Sequence, residues 1–163
     1  LAIERELGNR RLEGQIIGAL GKLHQGRGES ELARTHYDSA LAIHRAMGDR
    51  RSEGITLAHL ASLLHRQGSI EAAQAALATG EPLLRQVDAY LELAQLLCIR
   101  AELEHRSGTK AAALATLSEA EDIAFRIGSG PDSELGRMLA KLRRALAATA
   151  GRKPGGRHDG EAA

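Results

Sequence analysis

The chain has 163 residues, of which 43% are hydrophobic but only 2% aromatic, and it contains no tryptophan. A core of this composition must be built from Leu, Ile and Ala, and because Ala and Leu are strong helix formers, the composition predicts an all-α fold. The formal net charge is +1, from 22 basic and 21 acidic residues, which argues against a general polyanion binder, since such proteins carry a clear basic excess.

A repeat begins at the first residue and continues along most of the chain. Residues 1–14 (LAIERELGNRRLEG) return in closely similar form as residues 41–54 (LAIHRAMGDRRSEG), at an offset of 40 residues. The same offset relates four further sets of positions, which we call registers. They are Gly28, Gly68 and Gly108; Ala33, Ala73 and Ala113; Leu7, Met47, Val87 and Ile127; and Ala40, Gly80 and Ala120. A repeat of this length predicts a stack of similar helical units.

Glycines divide each repeat into two helices. Gly8, Gly48 and Gly128 follow apolar residues and precede polar ones, which predicts that each of them ends a helix. Gly28, Gly68 and Gly108 mark the turns inside the hairpins. Ser69 and Thr109 follow two of these glycines, and we expect them to cap the next helix. The predicted helices are 11–26, 30–47, 52–67, 70–87, 91–107 and 110–127, with residues 1–7 as the end of an earlier helix.

Pro82 interrupts the pattern of the fourth helix. It follows Gly80 by two residues, and its register is mid-helical in the neighbouring repeats. Because proline removes a helical hydrogen bond and clashes with the preceding turn, the sequence predicts a kink or a break near residues 80–82.

We predict that a capping helix and a polar tail follow the repeats. The segment 131–133 (PDS) predicts the start of a helix over 133–148, in which apolar residues recur at helical spacing. The stripe consists of Leu135, Leu139, Leu142 and Leu146. We therefore predict one domain over residues 1–149 and a disordered tail over 150–163. Its parts are a partial repeat at 1–8, repeats at about 9–48, 49–88 and 89–128, and a capping helix at 132–149. Because Leu1 falls inside a helical pattern, we expect a longer parent protein.

Cys98 is the only cysteine, so an internal disulfide is excluded and a reducing, cytoplasmic setting is the default expectation. Its apolar neighbours favour a buried, unreactive thiol. No apolar run reaches the roughly 20 residues of a membrane helix, and no signal-peptide pattern is present, so no membrane association is expected.

The order of bulky, small, glycine and alanine positions in each repeat resembles the tetratricopeptide repeat family. The matching positions are Ile17, Leu20, Gly21, Gly28, Ala33, Tyr37 and Ala40 in the first full repeat; Leu57, Leu60, Ala61, Gly68, Ala73, Leu77 and Gly80 in the second; and Leu97, Ala101, Gly108, Ala113, Leu117 and Ala120 in the third. The third repeat departs from the pattern, with Arg100 in place of Leu and Glu104 in place of an aromatic residue. The resemblance implies a right-handed superhelical α-solenoid of antiparallel helix pairs, here of a long-helix variety.

The resemblance also implies a scaffold that holds a peptide or helix of a partner protein on its concave face. That face is expected to be formed by the first helix of each repeat. The candidate partner-binding residues are Gln15, Lys22, Gln25, Ile55, Ala58, Ser62, His65, Arg66, Gln95, Cys98, Glu102, His105 and Arg106. An acidic partner is favoured by charge complementarity with basic residues of the inter-repeat loops and the first helices, namely Arg10, Arg11, Arg50, Arg51, Lys22, Arg66 and Arg106. Gln25, His65 and His105 share a register, which predicts a polar row.

Catalysis and cofactor binding are not expected. The histidines lack a third metal ligand at a recognisable spacing, and no phosphate loop or nucleophile elbow occurs. One alternative keeps the fold but makes the contact intramolecular, because the segment 41–51 resembles repeats of bacterial multidomain signalling proteins, in which such arms follow ATPase, kinase or cyclase modules. Binding of single-stranded nucleic acid is a weaker alternative, since three aromatic residues offer few stacking platforms.

Overall fold

A computed structural model describes residues 2–148 of the chain, and the side chains of residues 6–148. Over that range the fold consists of seven α-helices and no β-strand, so the all-α prediction is confirmed. The helices are α1 (Ala2–Gly26), α2 (Ser30–Ala46), α3 (Arg50–Arg66), α4 (Ile70–Gln86), α5 (Tyr90–Arg106), α6 (Lys110–Arg126) and α7 (Glu134–Ala148). The predicted tail at 150–163 lies outside the described residues.

A shorter period underlies the 40-residue repeat. Helices α2 to α6 each have 17 residues, and each begins 20 residues after the one before it. The turn residue between helices has a positive φ, from 51° at Asp88 to 82° at Gly108. The amide of the residue that follows the turn residue closes the turn; that of Asp49, which follows Gly48, donates to the carbonyl of His44 at 2.9 Å. This is the Schellman pattern that ends helices, and it serves turns inside and between hairpins alike.

The helix starts differ from the sequence prediction. Ser69 and Thr109 do occupy the position before α4 and α6, but neither side chain accepts a capping hydrogen bond. The Thr109 hydroxyl instead donates to the carbonyl of Glu104 at 2.8 Å. Among α2 to α6, the side chain that caps is Asp49 before α3, which accepts from the amide of Ser52 at 3.1 Å. Capping by Ser69 and Thr109 is therefore wrong, and the Thr109 hydroxyl is bonded to the last turn of the preceding helix.

The first helix is longer than predicted. α1 runs without interruption from Ala2 to Gly26, so the prediction that Gly8 ends an earlier helix is wrong. A Cβ atom built on Gly8 would meet nothing within 4 Å. A glycine inside a helix costs about 1 kcal/mol relative to alanine, a cost small enough for the continuous helix to tolerate.

Small residues lie where neighbouring helices approach most closely. Ala33, Ala73 and Ala113 are fully buried, as their register predicts. A Cβ atom on Gly21 would lie 2.6 Å from the ring of Tyr37. Any larger side chain at these positions must push the two helices of a hairpin apart.

Helix α4 passes through Pro82 without a break, so that part of the prediction is wrong, while the kink remains a prediction. Leu77 and Leu84 are buried on either side of the proline and hold both halves of the helix. Between them, a Cβ atom on Gly80 would lie 3.2 Å from the carbonyl oxygen of Gly54 on α3. Packing against α3 therefore outweighs the lost hydrogen bond.

The capping helix forms as predicted. Ser133 precedes α7, and its hydroxyl accepts from the amide of Gly136 at 2.9 Å. The four leucines of the predicted stripe are all buried. Consecutive helices pack together along the whole order, and α7 packs against both α5 and α6.

Candidate partner-binding surface

The odd-numbered helices lie next to one another as well as next to their sequence neighbours. α1 contacts α3, α3 contacts α5 and α5 contacts α7. We call the surface that these four helices form the odd-helix face. Lys22 on α1 pairs with Glu134 on α7 at 3.6 Å, and both side chains are exposed. The first and last odd helices therefore reach each other through side chains on this face.

Gln25 links three helices beneath the odd-helix face. Its side-chain oxygen accepts from the hydroxyl of Tyr37 on α2 at 2.6 Å, and its amide donates to the hydroxyl of Ser62 on α3 at 3.3 Å. Burial raises the pKa of Tyr37 to about 12, so the hydroxyl keeps its proton and remains a donor. Gln25 thus connects α1 to both α2 and α3, and these two bonds use one amide hydrogen and one lone pair of its side chain.

A first cavity, of about 570 Å³, lies between α1 and α3 and is called the α1–α3 cavity. Three of the predicted residues, Gln15, Lys22 and Ile55, line it. Sequence reasoning missed the other polar residues of this cavity, which come from four different helices or turns. They include His44, Asp49, Arg51, His59 and Glu92. Arg51 pairs with Glu92 across α3 and α5, so the rim of the cavity carries both charges.

His59 lies in the α1–α3 cavity beside the Lys22–Glu134 pair. Its ring stacks on that of Tyr37, with centroids 6.1 Å apart. Burial and the charge of Lys22 lower the pKa of His59 to about 4, against the opposing effect of Glu134. At neutral pH this imidazole is therefore uncharged, and it presents a flat, half-buried ring to the cavity.

A second cavity, of about 370 Å³, lies between α3 and α5 and reaches α7; we call it the α3–α5 cavity. Five predicted residues line it, together with two apolar side chains and a lysine from α7. The full lining is Ser62, His65, Arg66, Ile99, Glu102, Leu103, Arg106 and Lys141. A third cavity, of about 340 Å³, adjoins it between α5 and α7 and is lined in part by Cys98, Glu102, His105 and Arg106.

The predicted residues differ in how much they can offer a partner. Gln15, Lys22, Arg66, Glu102 and Arg106 are exposed. The half-buried members are Gln25, Ile55, Ser62, Gln95 and His105, and the buried ones are Ala58, His65 and Cys98. Of the thirteen, Gln25, Ala58 and Gln95 line none of the three cavities.

The predicted polar row is not a uniform surface. Gln25 is held by Tyr37 and Ser62, His65 is buried in the α3–α5 cavity, and His105 is half-buried in the cavity towards α7. The shared register places the three on equivalent helices, but each helix packs against a different neighbour.

Cys98 is buried, as its apolar neighbours predict. Burial, with the nearby carboxylates of Glu121 and Glu102, raises the pKa of its thiol to about 12. The thiol therefore stays protonated at neutral pH and serves as a small apolar side chain.

The described residues contain neither a cluster of metal ligands nor a helix that could cross a membrane. Within residues 6–148, no three His, Cys, Asp or Glu side chains come together as metal ligands could. None of the described helices has both the length and the apolar character needed to cross a bilayer. Comparison with protein-family models, curated protein sequences and solved structures found no match.

Proposed function

We propose that this chain is a tetratricopeptide-like α-solenoid that binds a peptide or helix of another protein along its odd-helix face. The observation that carries the proposal is the placement of the α1–α3 and α3–α5 cavities on one continuous side of α3. Ile55 and Arg66, which line the two cavities, are eleven residues apart, a helix length of about 16 Å. An extended segment of about five residues spans that distance.

The chemistry of the two cavities suits a segment with an apolar and an acidic part. The α1–α3 cavity offers Ile55 and the neutral ring of His59 between charged rims. The α3–α5 cavity offers Arg66 and Arg106. The exposed Lys22–Glu134 pair lies across the face, and since exposed ion pairs contribute little, a partner can displace it at small cost.

Selection from a random peptide library on the purified chain tests this proposal. Selected peptides should bind at least about tenfold more weakly to the I55R variant and to the R66E/R106E double variant. The matched control is R34E/K110E, which reverses two charges outside the three cavities. Peptides that bind all three variants as well as the parent chain would show that the odd-helix face is not the binding surface.

A further inference from the structure

The α3–α5 cavity contains three positively charged side chains without partners. Among the described residues, Arg66, Arg106 and Lys141 make no ion pair and no side-chain hydrogen bond. Glu102 is the one acidic side chain in the lining. The cavity therefore carries three positive charges against one negative charge.

Helix ends alone do not explain this arrangement. Basic residues at the last turn of a helix interact favourably with its dipole, and α2 to α6 all have one. Elsewhere, however, these side chains find a partner: Arg45 pairs with Glu53 at 2.7 Å, Arg85 with Glu119 at 2.6 Å, and Arg126 lies over the ring of Tyr90. Within the described residues, only the last-turn arginines of α3 and α5 are left without one.

His65 supplies an independent observation in the same cavity. Its side chain is 6% exposed, and neither ring nitrogen has a hydrogen-bond partner. Burial and the charge of Arg106 lower its pKa, against the opposing effect of Glu102. The neutral ring then has one N–H group without an acceptor, and buried donors of this kind are rarely left unsatisfied in proteins.

We propose that the α3–α5 cavity receives a phosphorylated serine or threonine of the docked partner segment. A phosphoryl group carries close to two negative charges at neutral pH and three acceptor oxygens. It matches the net charge of the cavity, offers bidentate geometry to Arg66 and Arg106, and can accept from Lys141, Ser62 and the His65 ring. A single carboxylate matches only half of that charge. The assignment to a partner's side chain rests on the proposed function.

The test uses small probes, so that it does not depend on knowing the partner. N-acetyl-O-phosphoserine amide is titrated into the chain while the imidazole signals of His65 are followed by NMR. We expect those signals to shift and the pKa of His65 to rise, because a dianion beside the ring favours its protonated form. N-acetyl-aspartate amide should bind at least about tenfold more weakly.

Variants locate the effect. R106Q/K141Q should weaken phosphoserine-amide binding at least about tenfold, and R66Q alone should weaken it measurably. R27Q/R34Q removes the same amount of charge from the α1–α2 hairpin and should leave binding unchanged. Circular dichroism confirms that each variant is helical before it is titrated, and the cavity arginines and lysine are exposed enough to be replaced without loss of the fold.

Three results overturn the proposal. One is the absence of any shift at His65 with the phosphoserine amide, and another is equal binding of the aspartate amide. The third is a response to inorganic phosphate only, which would assign the cavity to a free anion. None of these results bears on the peptide-library experiment, which selects peptides without phosphate and is read out at I55R as well as at R66E/R106E. The two proposals therefore fail separately.

Discussion

Two junctions between neighbouring hairpins occupy the same registers and are built from opposite kinds of side chain. The apolar junction joins α2, α3 and α4, and the polar junction joins α4, α5 and α6. The apolar junction consists of Leu41, Leu60, Leu64 and Ala76, all buried. Forty residues later, the polar junction has Glu81, Arg100, Glu104 and Thr116 at the corresponding positions.

The polar junction is a connected network. Arg100 donates to Glu81 on α4 and to Glu104 on its own helix, each at 2.9 Å. Thr116 on α6 donates to the second oxygen of Glu104 at 2.7 Å. Arg85 adds a further bond to Glu81 at 2.8 Å. The two carboxylates are largely buried, at 17% and 16% exposure, while Arg100 is 43% exposed.

The two junctions show that one register of the repeat can be filled by apolar or by charged side chains, provided that all partners are of one kind. Arg100 and Glu104 hold the registers of Leu60 and Leu64 of the preceding repeat. In the structure they bond to each other, so both changes belong to one network. A single exchange between the junctions should therefore be far more harmful than a complete one.

The largest effect is expected from L64E, which moves one member of the polar junction into the apolar one. The new carboxylate would be buried where Leu60 and Leu41 stand in place of Arg100 and Glu81. A loss of about 3 kcal/mol or more in the free energy of unfolding is expected. Urea denaturation measures it. The reciprocal E104L variant is the control and should lose less, because Arg100 still pairs with Glu81; equal losses would contradict the comparison.

The next effect is expected from R100M, which keeps the aliphatic stem but removes the charge between two carboxylates. Because Arg100 is partly solvated, we expect a loss of about 1–2 kcal/mol and not the larger value of a fully buried pair. R34M is the matched control. It removes a guanidinium whose pair with Asp38 is exposed on both sides, at 52% and 58%, and should change stability by less than about 0.5 kcal/mol. Similar losses in the two variants would mean that the network adds nothing.

The sequence alone predicted the ends of most helices but not the continuity of α1 and α4. The 40-residue period placed the ends of α2 to α6 within about two residues, because glycine in a positive-φ turn leaves a clear signal in the sequence. It did not foresee that α1 continues through Gly8 or that α4 continues through Pro82. Continuity through Pro82 depends on the burial of Leu77 and Leu84, which local propensity does not contain, and the glycine signal at Gly8 was weaker than the propensity of its neighbours to continue the helix.

The candidate surface was predictable only where the repeat holds. Arg66 and Arg106 share a register and His65 precedes Arg66, and the structure does bring the three to one cavity. Lys141 was missed because the linker 127–133 is longer than the three-residue turns elsewhere and shifts α7 out of register. His44 was missed because it comes from an even-numbered helix and reaches the α1–α3 cavity past Gly14, whose missing side chain leaves the space.

A smaller effect is expected from T116V in the polar junction. The substitution keeps the shape of the side chain but leaves one oxygen of Glu104 without its hydroxyl donor, which should cost about 1–2 kcal/mol of unfolding free energy. A76T is the companion change, since Ala76 holds the same register in the apolar junction, where a new hydroxyl has no carboxylate to bond. Thermal denaturation measures the change in stability of each variant relative to the parent chain. If T116V is as stable as the parent chain, Glu104 does not depend on α6.

The smallest effect is expected from the triple variant E81L/R100L/E104L, which gives the polar junction the leucines of the apolar one. Replacing a buried ion network by packed apolar groups is often neutral or stabilising, because the desolvation cost of the charges disappears with their attraction. Here two bonded neighbours, Arg85 and Thr116, lose a partner and offset part of that gain. We therefore expect the unfolding free energy to change by less than about 1 kcal/mol. Urea titration at low and high salt measures both the change and its origin, since the parent chain should lose more stability than the triple variant as salt screens the network. If the triple variant is destabilised as much as R100M, the third repeat needs its charged side chains for more than filling the junction. Leucines could then not replace the network at these positions.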